Sequence, residues 1–350
     1  MENKRVAVIP GDGIGPEVVG EAMRLLQRLQ ERQNLSIEFV CFDWGAEKFL
    51  NEGITLPDDA LVMLSNDFHA ILAGAFGDPR IPSNKHAEDI LLGIRRGLDL
   101  YINLRPVRLL DARLTPLRDR TPPDIDFVIF RENTEGAYCG AGGFLKKGTD
   151  HEIAIQEELN TRLGVERIIT AAFEYARTNG RKRVTMADKS NVQRFAGDLW
   201  QRVFKEVASR YPGIEANHQY VDAMAMLIVL DPTQYDVIVS NNLFGDILTD
   251  LGAAIQGGLG LAPSGNIHPG KISLFEPVHG SAPPLAGKGI ANPIGAILTS
   301  AMMLEYLGYK SASDAIERAV REAISGAETT PDLGGNLSTK EAAEAIMRRL

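Results

Sequence analysis

Asp246 and Asp250 stand four residues apart in Asn241-Asn-Leu-Phe-Gly-Asp-Ile-Leu-Thr-Asp250. The strand-like run Tyr235-Asp-Val-Ile-Val-Ser240 precedes them, and a helix-like run begins with them. On a helix this spacing puts both carboxylates on one face, where like charges repel by a few tenths of a kcal/mol unless a cation sits between them. Carboxylate oxygens suit a hard divalent ion such as Mg²⁺ or Mn²⁺. An isolated Asp-x-x-x-Asp is more often two solvated acids. The position at the end of a buried strand, where ligands of such sheets bind, favours a metal site.

Charged residues recur at strand ends. Residues 126–130 read as a strand that delivers Arg131-Glu-Asn-Thr-Glu-Gly-Ala-Tyr138. Residues 183–187 deliver Asp188-Lys-Ser-Asn191, and the extended residues 219–221 lead to Asp222. Arg95 lies near the end of a helix over residues 88–98, and Arg105 lies in an extended segment before Pro106. Two arginines of this kind can clamp a carboxylate with fixed donors, although a lone arginine is more often a surface charge.

Alternating elements must position these groups. Residues 5–9, 37–42 and 70–73 read as strands, with helices over 18–32, 46–51 and 58–64, an α/β pattern. Gly11-Asp-Gly-Ile-Gly-Pro-Glu17 follows the first strand. Its Gly-x-Gly-x-Gly spacing is one residue short of the dinucleotide fingerprint, so an ordinary Rossmann fold is rejected. Such a turn at a helix start suits an anion or a close backbone approach, or is simply a tight strand-to-helix turn. Residues 140–148 suggest a projecting hairpin, and residues 162–177 and 198–211 read as helices.

Composition narrows the class. The 350 residues suffice for one large or two ordinary domains, and 44% hydrophobic with 24% charged residues is typical of a soluble globular protein. A formal charge of −9 gives no electrostatic reason to expect nucleic acid or an anionic membrane. Cys41 and Cys139 are too few for a disulfide framework and fit a reducing cytoplasm. No apolar run approaches a membrane span, and the first residues lack the apolar region of a signal peptide.

The Gly11–Glu17 turn, Asn103-Leu-Arg-Pro106, Arg131–Tyr138, Lys189-Ser-Asn191, Asn242–Asp250 and Glu276-Pro-Val-His-Gly-Ser-Ala-Pro283 together resemble the β-decarboxylating dehydrogenases. That family includes isocitrate, isopropylmalate, homoisocitrate and tartrate/D-malate dehydrogenases, and the likeness runs nearly end to end. It implies a non-Rossmann, two-domain α/β fold with a large mixed sheet flanked by helices. One domain would comprise residues 1–102 and 256–350; the other, 103–255, would carry the dimer contacts.

The resemblance also assigns roles. Arg95, Arg105 and Arg131 would hold the carboxylates of a malate core, and Asp246 and Asp250 a divalent metal, with Asp222 reaching in from a second subunit near both substrate and metal. Lys189, also from that subunit, and Tyr138 would handle protons. The nicotinamide cofactor would lie along Gly74, Ala75 and Gly77 and the loop bearing His279, Gly280, Ser281, Ala282 and Asn292. Ile14, Asn191, Glu276 and Asp332 complete that set.

Pro284-Leu285 replaces both the aspartate of NAD-using branches and the Lys-Tyr pair of NADP-using ones. Thr330-Pro-Asp-Leu-Gly-Gly335 resembles the NAD-type tail, so NAD is expected over NADP. Glu88, Leu91 and Leu92 lie up to two turns before Arg95 and would meet the substrate's substituent. Two leucines and an acid disfavour the extra carboxylate of isocitrate or homoisocitrate. An isopropyl group suits them, so NAD- and metal-dependent oxidative decarboxylation of 3-isopropylmalate to 4-methyl-2-oxopentanoate by a cytoplasmic homodimer is expected. Tartrate or D-malate, or else homoisocitrate or isocitrate, are the alternative substrates. A non-catalytic subunit is disfavoured by the full set of chemical residues.

Overall fold

The computed structural model describes residues 3–350. In chain order the first half holds strands β1 (Lys4–Gly11), β2 (Ile37–Cys41), β3 (Ala70–Ala75), β4 (Ile102–Arg108), β5 (Asp126–Glu132), β6 (Gly142–Leu145) and β7 (Ile153–Gln156). Its helices are α1 (Gly15–Gln33), α2 (Ala46–Glu52), α3 (Ala60–Asp67), α4 (Lys85–Gly97) and α5 (Arg162–Thr178). Then come β8 (Arg183–Asp188), α6 (Arg194–Ala208), β9 (Glu215–Tyr220), α7 (Val221–Leu230), β10 (Val237–Ser240) and α8 (Asn242–Gln256). The chain closes with β11 (Pro263–Ile267), β12 (Ser273–Pro277), α9 (Ile294–Tyr306), α10 (Lys310–Ser325) and α11 (Thr339–Met347).

Two compact units result. The first comprises Met1–Leu100, Arg105–Ile125 and Ala253–Leu350, and the second Tyr101–Leu104 and Asp126–Gly252. The segment Arg105–Ile125, which the sequence division assigns to the middle, thus groups with the two chain ends. Local bonds explain this. Arg108 donates its backbone N–H to Gln256 (2.7 Å) and pairs with Glu317 (3.2 Å). Arg113 donates to the Ile324 carbonyl (2.8 Å), and Leu109 donates its N–H to the carbonyl of Ile125 (2.9 Å).

In the first unit the strand order is β2-β1-β3-β12-β11, parallel except for the antiparallel β11–β12 pair. Val6, Ala7, Val8 and Ile9 are all buried, as a central strand covered on both faces requires. Val18, Ala22, Leu25, Leu26 and Leu29 form the buried stripe of α1, which packs with apolar side chains of α9, α10 and α11. On the other face of the sheet Ile90 and Ile94 of α4 join Ala60 and Leu64 of α3 and Ile71 of β3.

In the second unit β5, β10, β8 and β9 are successive parallel neighbours. Phe173 of α5 and Phe204 of α6 pack with ring centroids 5.6 Å apart. The hairpin expected near residues 140–148 is β6–β7, and all eight of its strand residues are exposed. Asp222, expected at the end of an extended segment, lies inside the first turn of α7.

The Gly11–Gly15 turn is closed by the chain's own backbone. Asp12 donates its N–H to the Ala75 carbonyl (2.6 Å), and Ile14 to that of Ser281 (2.9 Å). Gly13 has φ +59°, and a Cβ there would lie 2.0 Å from the Ser281 carbonyl oxygen. The close approach that its glycines permit is therefore to protein backbone, the tight-turn alternative. Gly13→Ala should cost roughly 2–4 kcal/mol, from backbone strain plus the clash. Gly20, with nothing within 4 Å of its added Cβ in α1, is the control. Gly20→Ala should be neutral or stabilise by up to about 1 kcal/mol. Urea denaturation of the two variants checks both expectations.

Candidate functional site

Helix α8 starts directly after β10, so its first turn lies at the carboxyl end of a parallel strand. Gly245 is required there because an added Cβ would lie 2.7 Å from Cβ and Cγ of Arg131. With that space open, the buried Arg131 reaches along the helix. Its Nε and Nη2 donate to Asn242 Oδ1 (2.9 and 2.7 Å), and its Nη1 pairs with Asp246. Tyr138 donates its hydroxyl to the other Asp246 oxygen (2.6 Å), and the Arg131 guanidinium carbon stands 5.2 Å from the Tyr138 ring centroid. Burial, reinforced by the Asp246 carboxylate, pushes the Tyr138 phenol above its ordinary value, so it remains protonated near neutrality. Asp250 is exposed one turn further on.

A second cluster forms at the end of β8. Buried Asp188 accepts from the Ser190 N–H (3.0 Å), from Gln201 (2.9 Å) and from the His218 ring (2.8 Å). This fixes the turn that carries Lys189, whose ammonium pairs with Asp222. The Lys189 bond holds the Asp222 carboxyl below its ordinary value. Asn191 is exposed. Among the described residues no three His, Cys, Asp or Glu side chains are grouped to hold a metal. Asp222 is thus not brought together with Asp246 and Asp250 in one chain.

In the first unit Arg95 is buried in the last turn of α4 and donates to Glu276 (2.6 Å), which also accepts from Asn266 (2.8 Å). Glu276, assigned to the cofactor by resemblance, here balances an arginine. Arg95 Nε is buried without a partner, and Arg105 of β4 is buried. Leu91 and Leu92 are half-buried and Glu88 is exposed. Their spacing places all three on the Arg95 face of the helix.

Of the residues expected to hold the cofactor, Ile14, Ala75 and Ser281 meet at the Gly13 turn. The Gly77 N–H donates to Asp12 Oδ2 (2.9 Å), and a Cβ on Gly74 would lie 2.1 Å from the Pro10 carbonyl oxygen. Beyond β12, His279 is buried with Nδ1 against the Gly280 carbonyl (3.1 Å) and Nε2 without a partner. Gly280 faces open space, and Ala282 holds a φ of +40°. Asn292 donates to Asp332 (2.9 Å) and accepts from the Ile294 N–H at the start of α9 (3.0 Å).

These donor sets fit the expected groups. Asp246 and Asp250 offer hard oxygen ligands on one helix face. The unpartnered His279 nitrogen beside the open Gly280 backbone fits a polar ligand such as a nucleotide.

Sequence reasoning missed Asp12, His86, Asp188, His218 and Glu132. Glu132 accepts from the backbone N–H groups of Thr134 (3.1 Å) and Glu135 (2.7 Å), and so shapes the turn that leads to Tyr138. Burial raises its carboxyl above the ordinary value. A single acid carries no periodic signal, but Asp12, Glu132 and Asp188 each lie inside a motif already singled out, whereas His86 and His218 do not.

The two-unit α/β fold is that of a class of dehydrogenases. The sequence model of a family described as isocitrate/isopropylmalate dehydrogenase matches residues 5–346, and the chain belongs to that family. It is 47% identical over 348 residues to a 3-isopropylmalate dehydrogenase of Thermobifida fusca, covering 99% of this chain and 97% of that one. It is also 44% identical over 357 residues to a decarboxylating D-malate dehydrogenase of Escherichia coli, covering 99% of both. The crystal structure of isocitrate dehydrogenase from Methylococcus capsulatus superposes with a TM-score of 0.89 at 38% identity, covering 99% of each chain. Among the described residues no helix is long and apolar enough to cross a membrane.

Burial of His279 has a consequence for acid stability. Burial lowers its pKa from the ordinary 6.5, against smaller opposing effects of backbone hydrogen bonds. The unfolded chain then binds the proton more readily than the folded one, so stability falls as pH drops below about 6.5. His279→Asn should therefore lose less melting temperature between pH 7.5 and 5.5 than the wild type does, as calorimetry of the unliganded protein would show.

Proposed function

We propose that this protein oxidises and decarboxylates 3-isopropylmalate to 4-methyl-2-oxopentanoate, a step of leucine biosynthesis, as a cytoplasmic homodimer using NAD and Mg²⁺ or Mn²⁺. The observation that carries the substrate choice is the α4 face, where half-buried Leu91 and Leu92 accompany Arg95. The likeness to 3-isopropylmalate dehydrogenases over nearly the whole chain supports it.

Arg95, Arg105 and Arg131 hold the two malate carboxylates through charge-assisted bonds. Asp246 and Asp250 would hold the metal, with Asp222 supplied by a second copy, and a bound divalent ion would supply Lewis acidity. His279, Gly280 and Asn292 would hold NAD, which would supply the two-electron oxidant that takes a hydride from C2. Lys189 of the second copy helps take the hydroxyl proton. The 2-keto acid so formed loses its 3-carboxylate as CO₂, and the electron pair left on C3 gives an enolate. Tyr138, protonated at neutral pH, then delivers a proton to C3.

The dimer is supported by apolar side chains that one chain leaves uncovered. Phe144, Leu145, Ile153 and Ile155 project from β6–β7, and Met226, Leu230 and Ile247 from α7 and α8. A two-stranded sheet exposed on both faces is marginal alone. Separation of Asp222 from Asp246 and Asp250 within one chain is consistent with a ligand set completed by a second copy.

Asp246→Asn removes a full ligand charge and should lower activity about a hundredfold or more, with a raised Mn²⁺ requirement. Near-normal activity at limiting Mn²⁺ would remove α8 from the metal site.

D-malate is the second reading, favoured by the 44% identical Escherichia coli relative. A substrate panel with NAD and NADP decides between them. Burying the three carbons of an isopropyl group at about 0.8 kcal/mol each amounts to roughly 2 kcal/mol, or about a thirtyfold preference in kcat/KM. Leu91→Ala should shrink that preference. A wild-type protein that favours D-malate or isocitrate overturns the assignment.

A further inference from the structure

Three chain segments of the first unit converge on the buried carboxylate of a fourth, which none of the roles above uses. Asp12 is 6% exposed, and its Oδ1 accepts the Ala46 N–H at the start of α2 (2.6 Å). Its Oδ2 accepts the Gly77 N–H (2.9 Å) and lies 2.8 Å from His86 Nε2. His86 is fully buried in the first turn of α4, its ring 6.1 Å from that of Phe49 of α2, and its Nδ1 has no partner. One carboxylate therefore ties Gly77, which follows β3, to the first turn of α4.

Helix α4 carries Glu88, Leu91, Leu92 and Arg95 on one face. At its far end Arg95 is tied to Glu276 of β12. The helix is thus fastened at both ends by buried charged groups to the ends of β1 and β12, the strands that precede the Gly13 turn and the His279 loop. A slip or tilt of α4 would break one fastening or the other. In a closely packed core such breaks are discrete and costly.

We propose that Asp12 and His86 are positioning residues that set the Gly77 loop and helix α4 in one fixed relation, so that nucleotide affinity and substituent discrimination depend on the same buried bond. The inference rests on the proposed function, which puts the cofactor at Gly77 and the substituent at Leu91 and Leu92. Neither residue touches a reacting atom. Their influence passes through the backbone of Gly77 and the placement of α4.

The imidazole geometry supplies a discriminating pair of variants. The amide nitrogen of a glutamine lies close to where Nε2 of a histidine lies, so His86→Gln keeps a donor for Asp12. His86→Met fills similar volume with no donor and leaves the carboxylate one partner short. Loss of a bond to a buried charge is worth about tenfold or more in an equilibrium. NADH affinity is read by fluorescence titration, discrimination by the kcat/KM ratio of 3-isopropylmalate to D-malate, and folding by thermal melting of the unliganded protein.

His86→Met should weaken NADH binding about tenfold and reduce the substrate ratio at least severalfold, with kcat at saturation changed less than KM. His86→Gln should restore both to within about threefold of the wild type. If His86→Met does not fold, Asp12→Asn, which turns an amide donor toward a backbone N–H, carries the same expectation. A variant that melts earlier but keeps the wild-type NADH affinity and substrate ratio overturns the inference, as does His86→Gln impaired as deeply as His86→Met. A wild-type protein that fails to bind NADH or to oxidise 3-isopropylmalate overturns the proposed function instead.

Discussion

The buried guanidinium of Arg131 is the constraint on which the second unit's chemistry depends. Taking a cation out of water costs several kcal/mol unless counter-charge and acceptors replace the lost hydration. Asn242 and Asp246 provide them, and both stand one turn apart on α8. The start of that helix is therefore set by an arginine at the end of β5. Gly245 follows from the same constraint, since any side chain there would occupy the arginine's space. Tyr138 completes the arrangement by binding the remaining Asp246 oxygen, so the acid, the arginine and the phenol hold one another in place.

The other clusters repeat this scheme with different chemistry. Each steadies the turn at the carboxyl end of a strand with a buried acid. Asp188 does this for Lys189, Glu132 for the turn before Tyr138, and Asp12 for the turn before Gly77. A carboxylate that accepts several backbone N–H bonds replaces the regular ladder that ends where the strand ends. Loops held this way keep their side chains in place before any ligand arrives, which spares the ordering cost on binding.

The strands, the helices and the charged residues at strand ends were legible because periodicity and chemical type lie on the surface of the sequence. Asp246, Arg131, Tyr138 and Lys189 could each be read as chemistry from its place after an apolar run. The supporting acids could not. Asp12 between two glycines reads as turn composition, and Asp188 beside Lys189 reads as solvated charge, because their partners are backbone groups and distant side chains such as His86 and His218. The grouping of Arg105–Ile125 escaped for a related reason. It depends on Arg108 and Arg113 reaching partners more than a hundred residues away, and no local pattern records such pairs.

Under the proposed function, the acidic balance of the chain sharpens the problem of binding a dianionic substrate. With a formal charge of −9, long-range electrostatics do not favour such a ligand, so its binding rests on local groups. Arg95 and Arg131 are each already paired with a carboxylate, which keeps the free protein from burying an uncompensated cation. The same pairing reduces the net attraction of each for an added anion. What remains is directional: Arg95 Nε is buried and unpartnered, a donor whose desolvation has already been paid for in folding. A carboxylate that reaches it gains a bond without stripping water from the arginine, whereas a ligand lacking that group leaves the donor as it was. Under the proposed function, recognition at Arg95 would then rest on geometry and a preformed donor more than on net charge.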